Sequence, residues 1–150
     1  MKTSISCITV AAFFIGAAQD GDDLIRKEQK RFQGTWKVVA AEQKGEKVPA
    51  KDLEGILLTI EGHTIQVKEN DKTQERYTYK LALDKKPKQV DFTYKEGPKK
   101  GRTDRGIYKF ERDGERLTFC IEEDEKVTRP RDFATNADSS LSLVVLERVK

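Results

Sequence analysis

Residues equipped for chemistry are sparse in this chain of 150 amino acids. It holds one histidine, His63, and two cysteines, Cys7 and Cys120. A structural zinc site uses roughly four Cys or His ligands and a catalytic one about three protein ligands, so no metal site is expected. Carboxylates alone could hold calcium, but no loop shows the aspartate-x-aspartate-x-aspartate-glycine spacing. Glu122-Glu123-Asp124-Glu125 reads instead as a solvated acidic loop. A serine triad would have to recruit His63, and no Gly-x-Ser-x-Gly turn exists; Ser139-Ser140 belong to a polar loop. Gly97 to Gly101 lacks the Ser/Thr and the helix that complete a phosphate loop. Cys120, in Leu117-Thr118-Phe119-Cys120-Ile121, has no histidine or basic cluster to lower its pKa and reads as a packed thiol.

Paired carboxylates are the remaining acid/base option. Asp91 is the candidate, because Val90, Phe92 and Tyr94 share one face of their segment and leave it on the other. If that other face is solvent, Asp91 has no special role. No catalytic residue and no cofactor is therefore assigned, and the expectation is a non-enzymatic protein. Aromatic and cationic side chains point to binding. Trp36, Tyr77, Tyr79, Phe92, Tyr94 and Phe119 fall largely on inward phases, where they either line a small-molecule cavity or fill the interior as core. Arg105 is in phase with Ile107 and is expected to point inward near one mouth, and Arg129 lies in the loop expected to cover it. A buried arginine needs an anionic partner, from the protein or from a ligand. The candidate ligand-binding residues are Trp36, Tyr79 and Phe92 for contact, with Arg105 or Arg129 meeting a carboxylate or similar group.

These phases depend on the elements that carry them. Asp22 to Phe32 spaces Leu24, Ile25 and Phe32 among charged residues and predicts a short amphipathic helix, stopped by Gly34. The pattern then switches to period two. Strands are expected at Thr35–Gln43, with Trp36, Val38 and Ala40 on one face, and at Ile56–Glu61 and His63–Glu69 around Gly62. Others are expected at Glu75–Leu83, Val90–Tyr94, Arg105–Arg112, Glu115–Glu122 and Leu141–Val149. Ala50 to Glu54 has room for one helical turn, and Asp113-Gly114 is a strong two-residue hairpin signal. Eight strands with no helices between them must be antiparallel, since parallel pairing needs crossovers. The fold class is thus all-β: an antiparallel up-and-down β-barrel of about eight strands, with the short helix at its N-terminal end. A two-sheet sandwich is the alternative.

The first 18 residues read as a signal peptide and 19–150 as the domain. Lys2 starts the leader, Ile5 to Ile15 is its apolar core, and Gly16-Ala17-Ala18 supplies small residues for cleavage. The apolar run is shorter than the about 20 residues of a spanning helix, so no stable membrane insertion is expected. Export to the periplasm or the extracellular medium follows, with Cys120 left alone and no internal disulfide. The net charge of +3 rests on interspersed Lys, Arg, Asp and Glu that make up 37% of the chain. Lys85, Lys86, Lys88, Lys99, Lys100 and Arg102 sit in two turn-rich segments that would form a basic rim if adjacent, suited to an anionic partner. Ordinary loop-tip charge is the alternative. Nucleic acid is not expected without a basic-aromatic groove pattern, and a monomer is.

Gly34-Thr35-Trp36 after a short helix resembles the glycine-x-tryptophan opening of the lipocalin and wider calycin barrels. In that group an arginine from the last strand packs across the tryptophan, and Arg148 is placed to match it. The chain carries neither the threonine-aspartate-tyrosine motif of a typical lipocalin nor a disulfide. A broader likeness rests on Gln33-Gly34-Thr35-Trp36, Lys85 to Asp91, Gly106-Ile107-Tyr108, Leu117 to Cys120, Arg129-Pro130 and Phe133-Ala134-Thr135. On these the chain resembles a family of secreted planctomycete domains of unknown function with a lipocalin-like barrel. That resemblance implies a fold and an exported location, and no activity. The function expected is binding of a small apolar or amphipathic ligand. The alternative is a protein-interaction module with a filled core, acting on an envelope or extracellular partner.

Overall fold

The computed structural model describes residues 17–150, and apart from Ala17 and Ala18 the expected leader lies outside them. Helix α1 spans Ala17–Phe32, starting earlier than the expected Asp22. From Leu24 to Phe32 its sequence is mostly Leu, Arg, Lys, Glu and Gln, with no proline and one β-branched residue, Ile25, so helix is locally favoured there, while Gly21 and three aspartates sit in the first half. Gly34 ends the segment with φ 114°, a conformation natural to glycine. A Cβ there would also lie 3.1 Å from Arg148 Nη1.

Nine strands follow in one sheet: β1 (Gly34–Gln43), β2 (Glu46–Lys47), β3 (Ile56–Glu61), β4 (Thr64–Glu69), β5 (Lys72–Ala82), β6 (Lys88–Tyr94), β7 (Thr103–Glu111), β8 (Arg116–Glu122) and β9 (Leu141–Arg148). Every pairing is antiparallel, and neighbours in space are neighbours in sequence from β3 to β9. The sheet closes because β1 pairs with β9 along nearly its whole length, from Trp36 opposite Arg148 to Gln43 opposite Ser142. Eight strands therefore form a closed barrel, and β2 is a two-residue addition on the end of β1. Closure removes the unpaired edges that an open sheet would expose. The expected eight-stranded barrel with a short N-terminal helix is the architecture found.

Two local departures come from backbone geometry. A bulge lies between Val38 and Ala40 where β1 meets β9. It inserts a residue and shifts the side-chain phase, so Val38 and Ala41 face the interior where a strict alternation had put Val38 and Ala40. The β7–β8 connection is also longer than a two-residue turn. Pairing stops at Glu111 opposite Arg116, and Arg112, Asp113 and Gly114 all take positive φ between them.

The barrel has two unlike ends. One carries α1, the Gly62-His63 turn, the 83–87 turn and the 112–115 turn. The other carries residues 44–55, with helix α2 (Ala50–Leu53), then Asn70-Asp71, 95–102 and the long 123–140 connection. The two lysine-bearing turns flank β6 at opposite ends, so the single basic rim allowed by the sequence does not form. Among the described residues no helix is long and apolar enough to cross a membrane.

Candidate functional site

The helix end of the barrel is filled. Phe32, fully buried, lies 5.3 Å centroid to centroid from Tyr79, 5.0 Å from Tyr108, 5.0 Å from Phe110 and 6.2 Å from Phe119. Trp36 is equally buried and donates its indole N–H to the Phe32 carbonyl at 2.8 Å. Arg148 covers it: the guanidinium lies 4.2 Å from the indole centroid and donates to the Gln33 and Arg31 carbonyls at 2.7 and 2.8 Å. The cation thus serves a carbonyl in the last turn of α1 and the one just beyond its end, neither of which has a partner within the helix, and stacks on the ring beneath. Tyr79 donates to the Gly62 carbonyl at 2.9 Å. Trp36 and Tyr79 are therefore parts of a plug.

One acid holds the helix in place. Glu28, one turn before Phe32, is buried and accepts from Lys88 Nζ at 2.8 Å, Arg31 Nη1 at 3.0 Å and the Tyr108 hydroxyl at 3.0 Å. Burial raises its pKa, but the hydrogen bonds from Lys88, Arg31 and Tyr108 outweigh that and hold the carboxyl below its ordinary value.

The opposite half is hollow. A cavity of about 370 Å³ is lined by apolar side chains from six of the eight barrel strands and by Leu53 of α2. Ile65, Val67, Leu58, Phe92, Phe119 and Val144 form its floor and walls. Its polar groups gather at the open end: Gln43, Glu75, Tyr77, Tyr94, Asp104, Glu123 and Ser142. They are already connected. Tyr77 donates to Glu75, and Tyr94 donates to Asp104 Oδ2 at 3.0 Å. Arg102, outside the cavity, binds Asp104 Oδ1 through Nε at 3.0 Å and lies 5.3 Å from the Tyr94 ring centroid. Burial pushes the Tyr94 hydroxyl up to about 12, and burial followed by the Glu75 contact raises Tyr77 still further. Both hydroxyls stay protonated donors. Beyond the mouth lies a wider polar recess of about 670 Å³, walled by Lys44, Arg102, Lys126, Glu123, Asp124 and Glu125 among others.

Of the five candidate residues, only Phe92 reaches this cavity. Arg105 is exposed on the outer wall. It does share the phase of Ile107, but that phase is outward: Ile107 is buried between the sheet and the 123–140 connection, not inside the barrel. Arg129 belongs to that same connection, which straps the outer wall and does not cover the mouth there. Its guanidinium donates to the Val90 and Gly106 carbonyls at 3.1 and 2.8 Å and pairs with Asp91 at 2.6 Å. Asp91 does face outward, as its phase requires, and anchors the strap. Further along, Thr135 accepts from Gly45 N at 2.9 Å and donates to Glu42. Cys120 is buried under the strap, where burial pushes its thiol pKa up, so it behaves as packing.

Sequence reasoning missed Glu75, Asp104 and Leu53. Glu75 continues the phase of Tyr77, Tyr79 and Leu81, which was the available signal. Asp104 is in phase with Gly106 and Tyr108, a pattern that the apolar, buried Ile107 masks by making the other phase look inward.

Fold and site together define a closed eight-stranded antiparallel barrel with one plugged end and one hollow, open end. Comparison of the chain with protein-family models, curated proteins and solved structures finds no match.

Proposed function

We propose that this protein is an exported, non-enzymatic carrier that takes a small apolar or amphipathic molecule into the open half of its barrel. The cavity carries the reading. Its volume of about 370 Å³, its largely aliphatic and aromatic wall, and a few polar groups at one end are the features of a small-molecule pocket. Rigid walls support it, because each lining strand is paired on both sides and the far end is braced by Phe32, Trp36 and Arg148. Glu75 and Asp104 are each already held by a tyrosine hydroxyl. Export rests on the leader pattern of residues 1–18 and on the likeness to secreted lipocalin-like domains.

Native mass spectrometry tests both parts in one preparation. The full chain is expressed in a bacterial host, recovered by osmotic shock and purified without denaturation. The expected result is a mature chain beginning at Gln19, carrying a co-purified molecule or accepting members of a lipid and metabolite panel. A chain that keeps Met1 and stays in the cytoplasm would overturn export. A chain that carries nothing and accepts nothing would overturn binding and favour the interaction-module alternative.

A further inference from the structure

The charge of the molecule that the cavity accepts can be read from its wall; this inference rests on the carrier reading above. The ionisable side chains on that wall are Glu75, Asp104 and Glu123 together with Tyr77 and Tyr94, and among the described residues no lysine, arginine or histidine lines it. The hydrogen-bond donors are equally one-sided. Tyr77 donates to Glu75, Tyr94 to Asp104, Ser142 to Glu123 at 2.6 Å, and Gln43 to Ser142 at 3.2 Å. Each hydroxyl is therefore directed at an acceptor of the protein, and an incoming anion would find almost no free donor. A carboxylate, by contrast, offers about four acceptor positions. Asp104 uses some of its positions for Arg102 and Tyr94, whereas the described contacts of Glu75 are with Tyr77 alone.

The surrounding cations do not reverse this bias. Arg102 lies in the outer recess, bound to Asp104, and Lys44 and Lys126 share that recess with Glu123, Asp124 and Glu125. Aromatic faces add to it. Tyr77 and Tyr94 are 4.6 Å apart centroid to centroid, next to Phe92 and Glu75, and ring faces attract cations. Tyr94 already draws two of the protein's own cations, with Lys99 Nζ and the Arg102 guanidinium each 5.3 Å from its centroid.

We infer that the cavity takes a cationic amphiphile, with an apolar body among Ile65, Val67, Phe92 and Val144 and a protonated amine or quaternary ammonium at the mouth beside Glu75 and the Tyr77–Tyr94 pair. An alkyl carboxylate would place its charge against Glu75 and Asp104 and is disfavoured.

Isothermal titration calorimetry of the full mature chain at neutral pH tests this with three ligands of one chain length: octyltrimethylammonium, 1-octanol and octanoate. The cation binds at least about tenfold more tightly than octanoate and more tightly than 1-octanol, with a preference that shrinks as salt rises. Glu75→Gln lowers affinity for the cation by about fivefold and leaves 1-octanol within about twofold, the loss of one charge contact at a partly exposed site. Binding of 1-octanol with the cation no better, or with octanoate better, overturns the charge assignment and leaves the carrier reading standing. Binding of none of the three overturns both. The ranking of the three head groups needs only the wild-type chain, so it decides the matter even if the variant folds poorly.

Discussion

Glu28 is the most informative single position for how the barrel is plugged. Replacing it with glutamine keeps the shape and an acceptor for Tyr108 but removes the charge that meets Lys88 and Arg31. Breaking a fully buried ion pair costs about 3–5 kcal/mol, mostly from the charge left behind without a partner. Exposed pairs contribute about 0–1 kcal/mol. This site lies between those limits. The Glu28 side chain is only 8% exposed, but Lys88 and Arg31 are 41% and 42% exposed and can return to water. The expected cost is therefore about 1–2 kcal/mol near neutral pH, nearer the exposed limit. For a chain of this size that lowers Tm by roughly 2–8 °C.

The pH dependence gives the test its edge. The folded-state pKa of Glu28 lies below its ordinary value of 4.5, so the unfolded chain binds more protons between the two values. The stabilisation is thus fully present above about 4.5 and fades as pH falls through the folded-state value. Urea unfolding followed by Trp36 fluorescence, run at about pH 7 and about pH 3, should show the wild-type advantage at the higher pH and its narrowing at the lower. A difference that is the same at both pH values, or that stays under about 0.3 kcal/mol at neutral pH, would refute the reasoning and leave apolar burial of Phe32 as what holds the helix.

Other expected outcomes follow from the same packing. Arg148→Met keeps the side chain over Trp36 but removes its donors to Gln33 and Arg31; it should cost about 2–4 kcal/mol in denaturant unfolding, and a cost under about 1 would contradict the bracing role. Val67→Phe fills cavity space and should abolish 1-octanol binding in calorimetry while shifting stability by no more than about 1–2 kcal/mol; retained binding would put the ligand elsewhere. All four tyrosines should resist ionisation near 10 in an alkaline spectrophotometric titration, because burial raises Tyr77, Tyr79, Tyr94 and Tyr108, with Tyr79 and Tyr94 at about 12. A full tyrosinate signal from the native protein near 10 would contradict that burial.

The order and number of the barrel strands were legible because period-two alternation and short Gly- and Pro-marked turns run the length of the chain, while the two-residue β2 lay in what reads as a turn. The Trp36–Arg148 pair was expected only through the likeness to the calycin barrels, and the two prove to be register partners where the first and last strands close. The site was much less so. Alternation tells which residues share a face, not which face is inside, and an outer strap can bury the wrong one. Ile107 and Cys120 are apolar and buried on the outside, which misplaced Arg105. Depth along the barrel is also invisible to period two: Tyr79 and Tyr77 share a face, yet the first belongs to the plug and the second to the mouth. The bulge after Val38 and the path of 123–140 depend on long-range pairing that no local pattern specifies.

The central claim is that the half of the barrel away from α1 admits a small molecule. Methyl-labelled NMR during titration with neutral 1-octanol tests it most directly. Saturable shifts are predicted for Leu58, Ile65, Val67 and Val144, with Ile60, Leu117 and Leu146 in the plugged half nearly unmoved. Saturable shifts confined to Ile107 and other outer-wall methyls, or none at all, would contradict the account.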